Sequence, residues 1–232
     1  MKKVAILQSN YLPWKGVFDI MHQVDVFVFL EDVQYTARDW RNRNKVLTDK
    51  GSLWISVPIK RNRKQFICEA KIDNSYDWQE KHFRTFDIYY SKALYYKEYK
   101  WIMNKIFKES KWGKLSHLNI RANKLIAQVL GIQVEFINSC DLGVKGKKDD
   151  KLIEICQNLE ATHYLSGPAA KDYIIPEKFE KVGIELEYIK YEYPRYKQLH
   201  EPFNHHVTIL DLLFNCIWGW REDKGEIEYD TL

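Results

Sequence analysis

Two short apolar runs near the N-terminus constrain the fold most. Residues 4–7 (Val-Ala-Ile-Leu) and 26–30 (Val-Phe-Val-Phe-Leu) are continuous rather than alternating, the pattern of strands buried on both faces of a parallel sheet. Between them, Asn10, Pro13 and Gly16 mark residues 9–16 as a loop. Residues 17–23 fit one short helix with Phe18, Met21 and His22 on one side. Strand, helix and strand within thirty residues predict a compact βαβ unit.

The rest of the chain extends this pattern. Residues 45–47 and 53–57 predict a β-hairpin around the turn Thr48-Asp49-Lys50-Gly51, and residues 66–72 another strand. Trp78, His82, Phe86 and Tyr89 form an approximate helical stripe, and residues 97–108 continue in helical style. Ser116 is placed to cap a helix that Gly131 ends. Strands at 134–137, 163–165 and 184–189 alternate with a helix opened by Asp149 or Asp150, and a last helix is expected over 206–218. Thr208-Ile209-Leu210-Asp211 has the form of a capping box, so Asp211 reads as a cap rather than an acid catalyst. The expected fold class is therefore α/β: a mostly parallel central sheet flanked by helices, with a β-hairpin insertion. Without a repeat or a Gly/Ser linker, residues 1–232 read as a single domain.

Composition narrows the function classes. With 45% hydrophobic and 29% charged residues, the chain is an ordinary globular one, and no stretch approaches the ~20 apolar residues of a membrane span. Met1-Lys2-Lys3 and four apolar residues lack the pattern of a secretory signal. Cys68, Cys140, Cys156 and Cys216 stand singly, which excludes a zinc ribbon or disulfide scaffold and fits a cytoplasmic location. A net charge of +4 gives no reason to expect a nucleic-acid partner. Between Arg38 and Lys64, however, nine Lys and Arg face only Asp39 and Asp49. That stretch suits an anionic ligand or a solvated basic face.

The densest polar cluster brackets the first two strands: Gln8, Asn10, Tyr11 and Trp14, then Glu31, Asp32, Gln34, Tyr35, Arg38, Asp39, Arg41, Asn42, Arg43 and Asn44. Ligands of open parallel sheets bind beyond the carboxyl ends of the strands, so these groups are expected to converge. On an extended segment Arg41 and Arg43 point one way and Asn42 and Asn44 the other; paired guanidinium forks suit phosphate or carboxylate. Ser166-Gly167 offers backbone amides to an anion, and Asp172 and Tyr173 read as substrate contacts or a helix start. Tyr196 and Gln198 join the candidate binding residues. Asp32, His82 and His200 are the candidate bases. His205 and His206 are adjacent and lack the spacing of a helical metal site; no metal is expected.

These residues resemble a known family. Gln8-x-x-Tyr11-Leu12-Pro13-Trp14-x-Gly16-x-Phe18, Asp25-x-Phe27, Asp32-Val33-Gln34-Tyr35 and Trp40-x-Asn42-Arg43-Asn44 are similar to the WbqC-like protein family. So are Ser166-Gly167-x-Ala169-Ala170-x-Asp172-Tyr173, Tyr196-x-Gln198 and residues 209–215. The resemblance implies a gene context of O-antigen and lipopolysaccharide biosynthesis. From that context follows an amide-forming transfer of an acyl or aminoacyl group, for example glycyl, onto a nucleotide-linked (dTDP) deoxyamino sugar. Separately, residues 12–16, the short helix, residues 24–28 and Gln34-Tyr35 are similar to the start of pantothenate synthetases and other nucleotidylyl-transferase-like folds. That likeness implies an ATP-dependent ligase, although Trp14 and Val17 stand where the paired phosphate-binding histidines of that group would be. A non-catalytic sugar-binding module is the third reading, from the aromatic content.

Overall fold

Strand β1 (Lys3–Leu7) and strand β2 (Val26–Phe29) pair in parallel, with Val4 opposite Val26 and Leu7 opposite Phe29. The computed structural model describes residues 1–60, 62, 64–172, 174–192 and 195–216, and the backbone of 218–221 and 226–229. The chain divides into two compact units, one of Met1–Ser9, Gly16–Val33 and Ile132–Glu192, the other of Asn10–Lys15, Gln34–Gly131 and Tyr193–Leu232.

The first unit is the parallel sheet. Helix α1 (Lys15–His22) connects β1 to β2. The other sheet strands lie late in the chain: β5 (Glu135–Asn138), β6 (His163–Ser166) and β7 (Glu185–Tyr188). The order across the sheet is β5-β2-β1-β6-β7, all parallel. Residue alternation explains the burial. Val4, Ile6, Val26 and Val28 share one face and pack with Leu152, Ile155 and Cys156 of helix α5 (Asp149–Asn158) and Phe179 of helix α6 (Pro176–Glu180). Phe27 and Phe29 point to the opposite face, where Phe29 stacks on Phe136 at 5.6 Å. The first turn of α5 carries Asp149 and Asp150, favourable beside the positive end of the helix dipole.

The second unit begins with the hairpin of β3 (Arg43–Thr48) and β4 (Gly51–Ser56), in register from Arg43–Ser56 to Thr48–Gly51. Helix α2 (Trp78–Tyr90) buries Trp78, His82, Phe86 and Tyr90. The stripe thus ends on Tyr90 instead of Tyr89, because the i, i+4 spacing from Phe86 reaches 90. Helix α3 (Tyr96–Met103) continues as a π-helical turn, Asn104–Lys108, whose Ile106 and Phe107 carbonyls accept from Gln79 Nε2. Helix α4 (Leu115–Val129) and helix α7 (Ile209–Asn215) complete the described helices. The backbones of β8 (Trp218–Arg221) and β9 (Glu226–Tyr229) pair antiparallel.

Three further sequence expectations require correction. Residues 66–72 form a 3-10 turn at Ile67–Glu69 and isolated bridges rather than a strand, because the Glu69 carboxylate folds back onto the Phe66 N–H at 2.8 Å. Ser116 does not cap α4: the helix starts at Leu115, whose N–H donates to Ala70 O, and Ser116 is buried inside. Gly131 does end it, with φ +70°, the left-handed region that favours glycine. The last helix spans Ile209–Asn215 rather than 206–218. Thr208 and Cys216 both have extended ψ, and the aromatic alternation of Trp218 and Trp220 continues as strand.

Candidate functional site: a cationic cleft beside the hairpin

The strand-to-loop junctions of the hairpin line a cleft of about 1000 Å³ within the second unit. Its walls include Tyr35, Asn42 and Arg43, three of the residues expected to bind substrate, with Arg38, Lys60 and Tyr76. Three cations and two phenol rings face one space, and no Asp, Glu or His is among its described lining residues. The basic stretch of residues 38–64 supplies Arg38, Arg43 and Lys60 to this lining. Its Arg61 and Arg63 lie outside the described residues.

Local hydrogen bonds hold these walls. The Tyr35 N–H donates to Gln65 O at 2.9 Å, and Gln34 Nε2 reaches the same carbonyl at 3.2 Å. Burial, helped by the Asp39 charge, pushes the Tyr35 phenol up to about 12, so it serves as a donor. Asn42 Nδ2 donates to Val57 O at 2.9 Å, and Val57 N–H returns to Asn42 O at 2.7 Å. Asn42 Oδ1 and Arg43 Nε are both buried and lack hydrogen-bond partners among the described residues. Each is an unspent polar group in a wall of the cleft, and buried polar groups ordinarily have partners. Arg38 has a φ of +59°, which costs a non-glycine residue about 1 kcal/mol. Such outliers concentrate at functional sites.

Arg41 and Arg43 make different contacts. Arg41 Nη1 donates to Asn10 Oδ1 at 2.6 Å and Nη2 lies 3.5 Å from Asp39, whereas Arg43 lies over the Trp54 ring at 4.1 Å. Burial alone would raise the Asp39 carboxyl. Hydrogen bonds from Thr36 Oγ1 and Trp40 N, with the charges of Arg41 and Arg43, hold it below the ordinary range.

Other expected site residues support the chain. Asn44 Nδ2 donates to Tyr11 O and Leu12 O, at 3.2 and 2.6 Å. Tyr11 is fully buried and its hydroxyl donates to His82 Nδ1 at 2.8 Å. A bond to the Ser56 backbone favours the charged imidazole, so the neutral ring donates there and accepts from Tyr11. Burial nevertheless pushes His82 down to about 3, with the Lys81 charge adding to the effect. Trp14 is half-buried against the His206 ring at 5.9 Å. His200 bonds through Nε2 to Tyr89 O at 2.8 Å, leaving Nδ1 as its basic atom.

Tyr196 and Gln198 converge on Asp211 instead of the cleft. Tyr196 Oη and Gln198 Nε2 donate to Asp211 Oδ1 at 2.7 and 2.8 Å, and Tyr90 Oη donates to Oδ2 at 2.8 Å. Asp211 is thus a buried hub and not the acid of a capping box. The Thr208 N–H that such a box would satisfy already donates to Lys45 O at 3.0 Å. Burial raises the Asp211 carboxyl, against the three hydrogen bonds. Lys15, which no sequence motif singles out, is buried nearby with Nζ 4.8 Å from the Tyr196 ring. Burial lowers its ammonium to about 8, with Cys216 and Asp211 pulling upward. A lysine's residue type gives no sign that it is buried.

The remaining candidates belong to the first unit, at the carboxyl ends of its strands. Gln8 is half-buried after β1. Asp32 takes Ser139 Oγ at 2.5 Å and Lys151 Nζ at 2.6 Å, and buried Glu31 takes the Ser9 N–H at 3.0 Å. Ser166 is buried at the end of β6, Gly167 follows it, and Asp172 is exposed; Tyr173 lies outside the described residues. Among the described residues, His163, Glu185 and Glu187 lie close enough together to form a metal-ligand set, and Lys3 Nζ binds Glu187 at 2.8 Å.

No described helix is long and apolar enough to cross a membrane. A protein of Mycobacterium tuberculosis named "Uncharacterized protein Rv1507c" is 42% identical over 218 residues, covering 93% of this chain and 94% of that one. No solved structure matches the chain. The model of the WbqC-like protein family matches residues 8–221, a span that holds the motif loop from Gln8, the cleft and the Asp211 hub alike; the chain belongs to that family.

Proposed function

We propose that this protein is a transferase that forms an amide on the amino group of a nucleotide-linked (dTDP) deoxyamino sugar, using an acyl or aminoacyl donor such as a glycyl one, in O-antigen or lipopolysaccharide assembly. The observation that carries the reading is the cleft: among the described residues, three cations, two phenols and no carboxylate line about 1000 Å³. Such a lining suits a ligand that is anionic at one end and ring-shaped elsewhere. Arg38, Arg43 and Lys60 hold the diphosphate, Tyr35 and Tyr76 flank a ring, and Asn42 Oδ1 accepts from a sugar N–H or O–H.

In the reaction the sugar amine's lone pair forms a C–N bond to the donor's carbonyl carbon. The donor's leaving group departs with its bonding electrons, and a base takes the proton released from nitrogen. Of the three candidate bases, Asp32 is engaged by Lys151 and Ser139, and His82 holds a proton only near pH 3. None of the three, His200 included, is among the described lining residues of the cleft, so the proton passes to solvent water. A thermal-shift panel of dTDP- and UDP-amino sugars, ATP and coenzyme A tests the reading. A rise with a dTDP-amino sugar, followed by an amide product in mass spectrometry, supports it; binding without turnover supports a sugar-binding module instead.

A second reading has its own observation. The order β5-β2-β1-β6-β7 reverses direction between β1 and β6, and nucleotides bind at such switch points in open parallel sheets. Gln8 and Ser166-Gly167 stand at those two strand ends. An ATP-dependent amide-forming ligase would use that crevice, and ATP consumption separates it from the first reading.

A further inference from the structure

Arg43 is a cation of the cleft that the hairpin constrains. Lys45 pairs in register with Trp54, which makes Arg43 the diagonal neighbour of Trp54. The guanidinium carbon lies 4.1 Å from the Trp54 ring centre, well inside cation–π range. The Trp40 ring braces that indole from 5.2 Å. Both tryptophans are partly exposed, Trp40 at 39% and Trp54 at 40%. A guanidinium stacked on a ring keeps its N–H fork in plane and free for a planar or tetrahedral anion. The buried Nε that lacks a hydrogen-bond partner belongs to that fork.

We infer that Trp54 is a positioning residue. It holds the Arg43 guanidinium in the orientation that receives a phosphate in the cleft, so phosphate affinity depends on the indole through Arg43 and not through the hairpin's stability. The inference rests on the reading that the cleft takes a phosphorylated ligand.

A double-mutant cycle with inorganic pyrophosphate as the probe tests it. Trp54→Leu is expected to weaken pyrophosphate binding roughly 5- to 30-fold with the folded fraction unchanged by circular dichroism. Trp54→Phe, which keeps a ring, restores most of the affinity. In an Arg43→Met background, Trp54→Leu has no further effect. Equal losses in both backgrounds, or no loss in the wild-type background, overturn the positioning role while the cleft's anion site stands. Failure of the wild-type protein to bind pyrophosphate overturns the anion site itself and the inference with it.

Discussion

Tyr196 donates its phenolic hydrogen to Asp211 Oδ1 across 2.7 Å inside the second unit. Gln198 and Tyr90 complete the shell of that carboxylate. Three donors around one fully buried acceptor make the hub a matter of stability. Asp211→Asn turns one acceptor oxygen into a donor that faces other donors. It is expected to cost about 2–3 kcal/mol, read as a lower urea midpoint. An unchanged midpoint would remove the hub from the account.

His82 makes stability depend on pH. In the unfolded chain its ring titrates near 6.5; in the fold it titrates near 3 because burial disfavours the charge. Above pH 6.5 the ring is neutral in both states and the full stability is present. Below 6.5 the unfolded chain takes up a proton that the folded chain refuses until about pH 3. Stability therefore falls by about 1.4 kcal/mol per pH unit from this group across that window. Urea titrations from pH 7.5 to 4 should show a shallower decline for His82→Asn than for the wild type. Parallel declines would contradict the shift.

Lys151 and Asp32 form a largely buried ion pair at 2.6 Å, with side chains 9% and 21% exposed. Lys151→Met leaves the Asp32 carboxylate with Ser139 Oγ as its one remaining side-chain donor among the described residues. A loss of about 1–3 kcal/mol is expected, seen as a lower thermal midpoint. A variant as stable as wild type would show that the pair does not hold the strand ends.

Lys60 is exposed at the cleft rim. Lys60→Glu should leave the thermal midpoint nearly unchanged, since surface substitutions usually stay within about 0.5 kcal/mol. It should weaken pyrophosphate binding several-fold at low salt, with a smaller difference at high salt. An effect independent of ionic strength would mean that Lys60 acts otherwise than by its charge.

The sheet was legible because residues 4–7 and 26–29 are uninterrupted apolar runs, which have few other places to go in a chain this size. Asp49, Lys50 and Gly51 marked the hairpin in the same local way. Residues 66–72 misled because a single carboxylate, Glu69, closes a turn that β-favouring neighbours would not suggest. The cleft was legible in part. Tyr35, Asn42 and Arg43 stood out as a polar run, and the local basic excess pointed to an anion. Tyr76 and Gln65 gave no sign, because only the folded chain brings them to the same walls. The family resemblance was carried by Tyr11, Asn44, Tyr196 and Gln198, whose observed bonds run to backbone carbonyls, His82 and Asp211. Motif spacing marks residues that matter without telling whether they touch a ligand or each other. Asp211 illustrates the limit: its sequence neighbours suggested a helix cap, and its real partners lie 13 to 121 positions away.

The most direct test of the cleft as the nucleotide-sugar site is isothermal titration of a dTDP-linked amino sugar into the wild-type protein and Arg43→Ala side by side. The account predicts saturable binding to the wild type and affinity at least about tenfold weaker for the variant, the scale of one charge-assisted hydrogen bond. Equal affinity in the two proteins, or no binding to either, would contradict it.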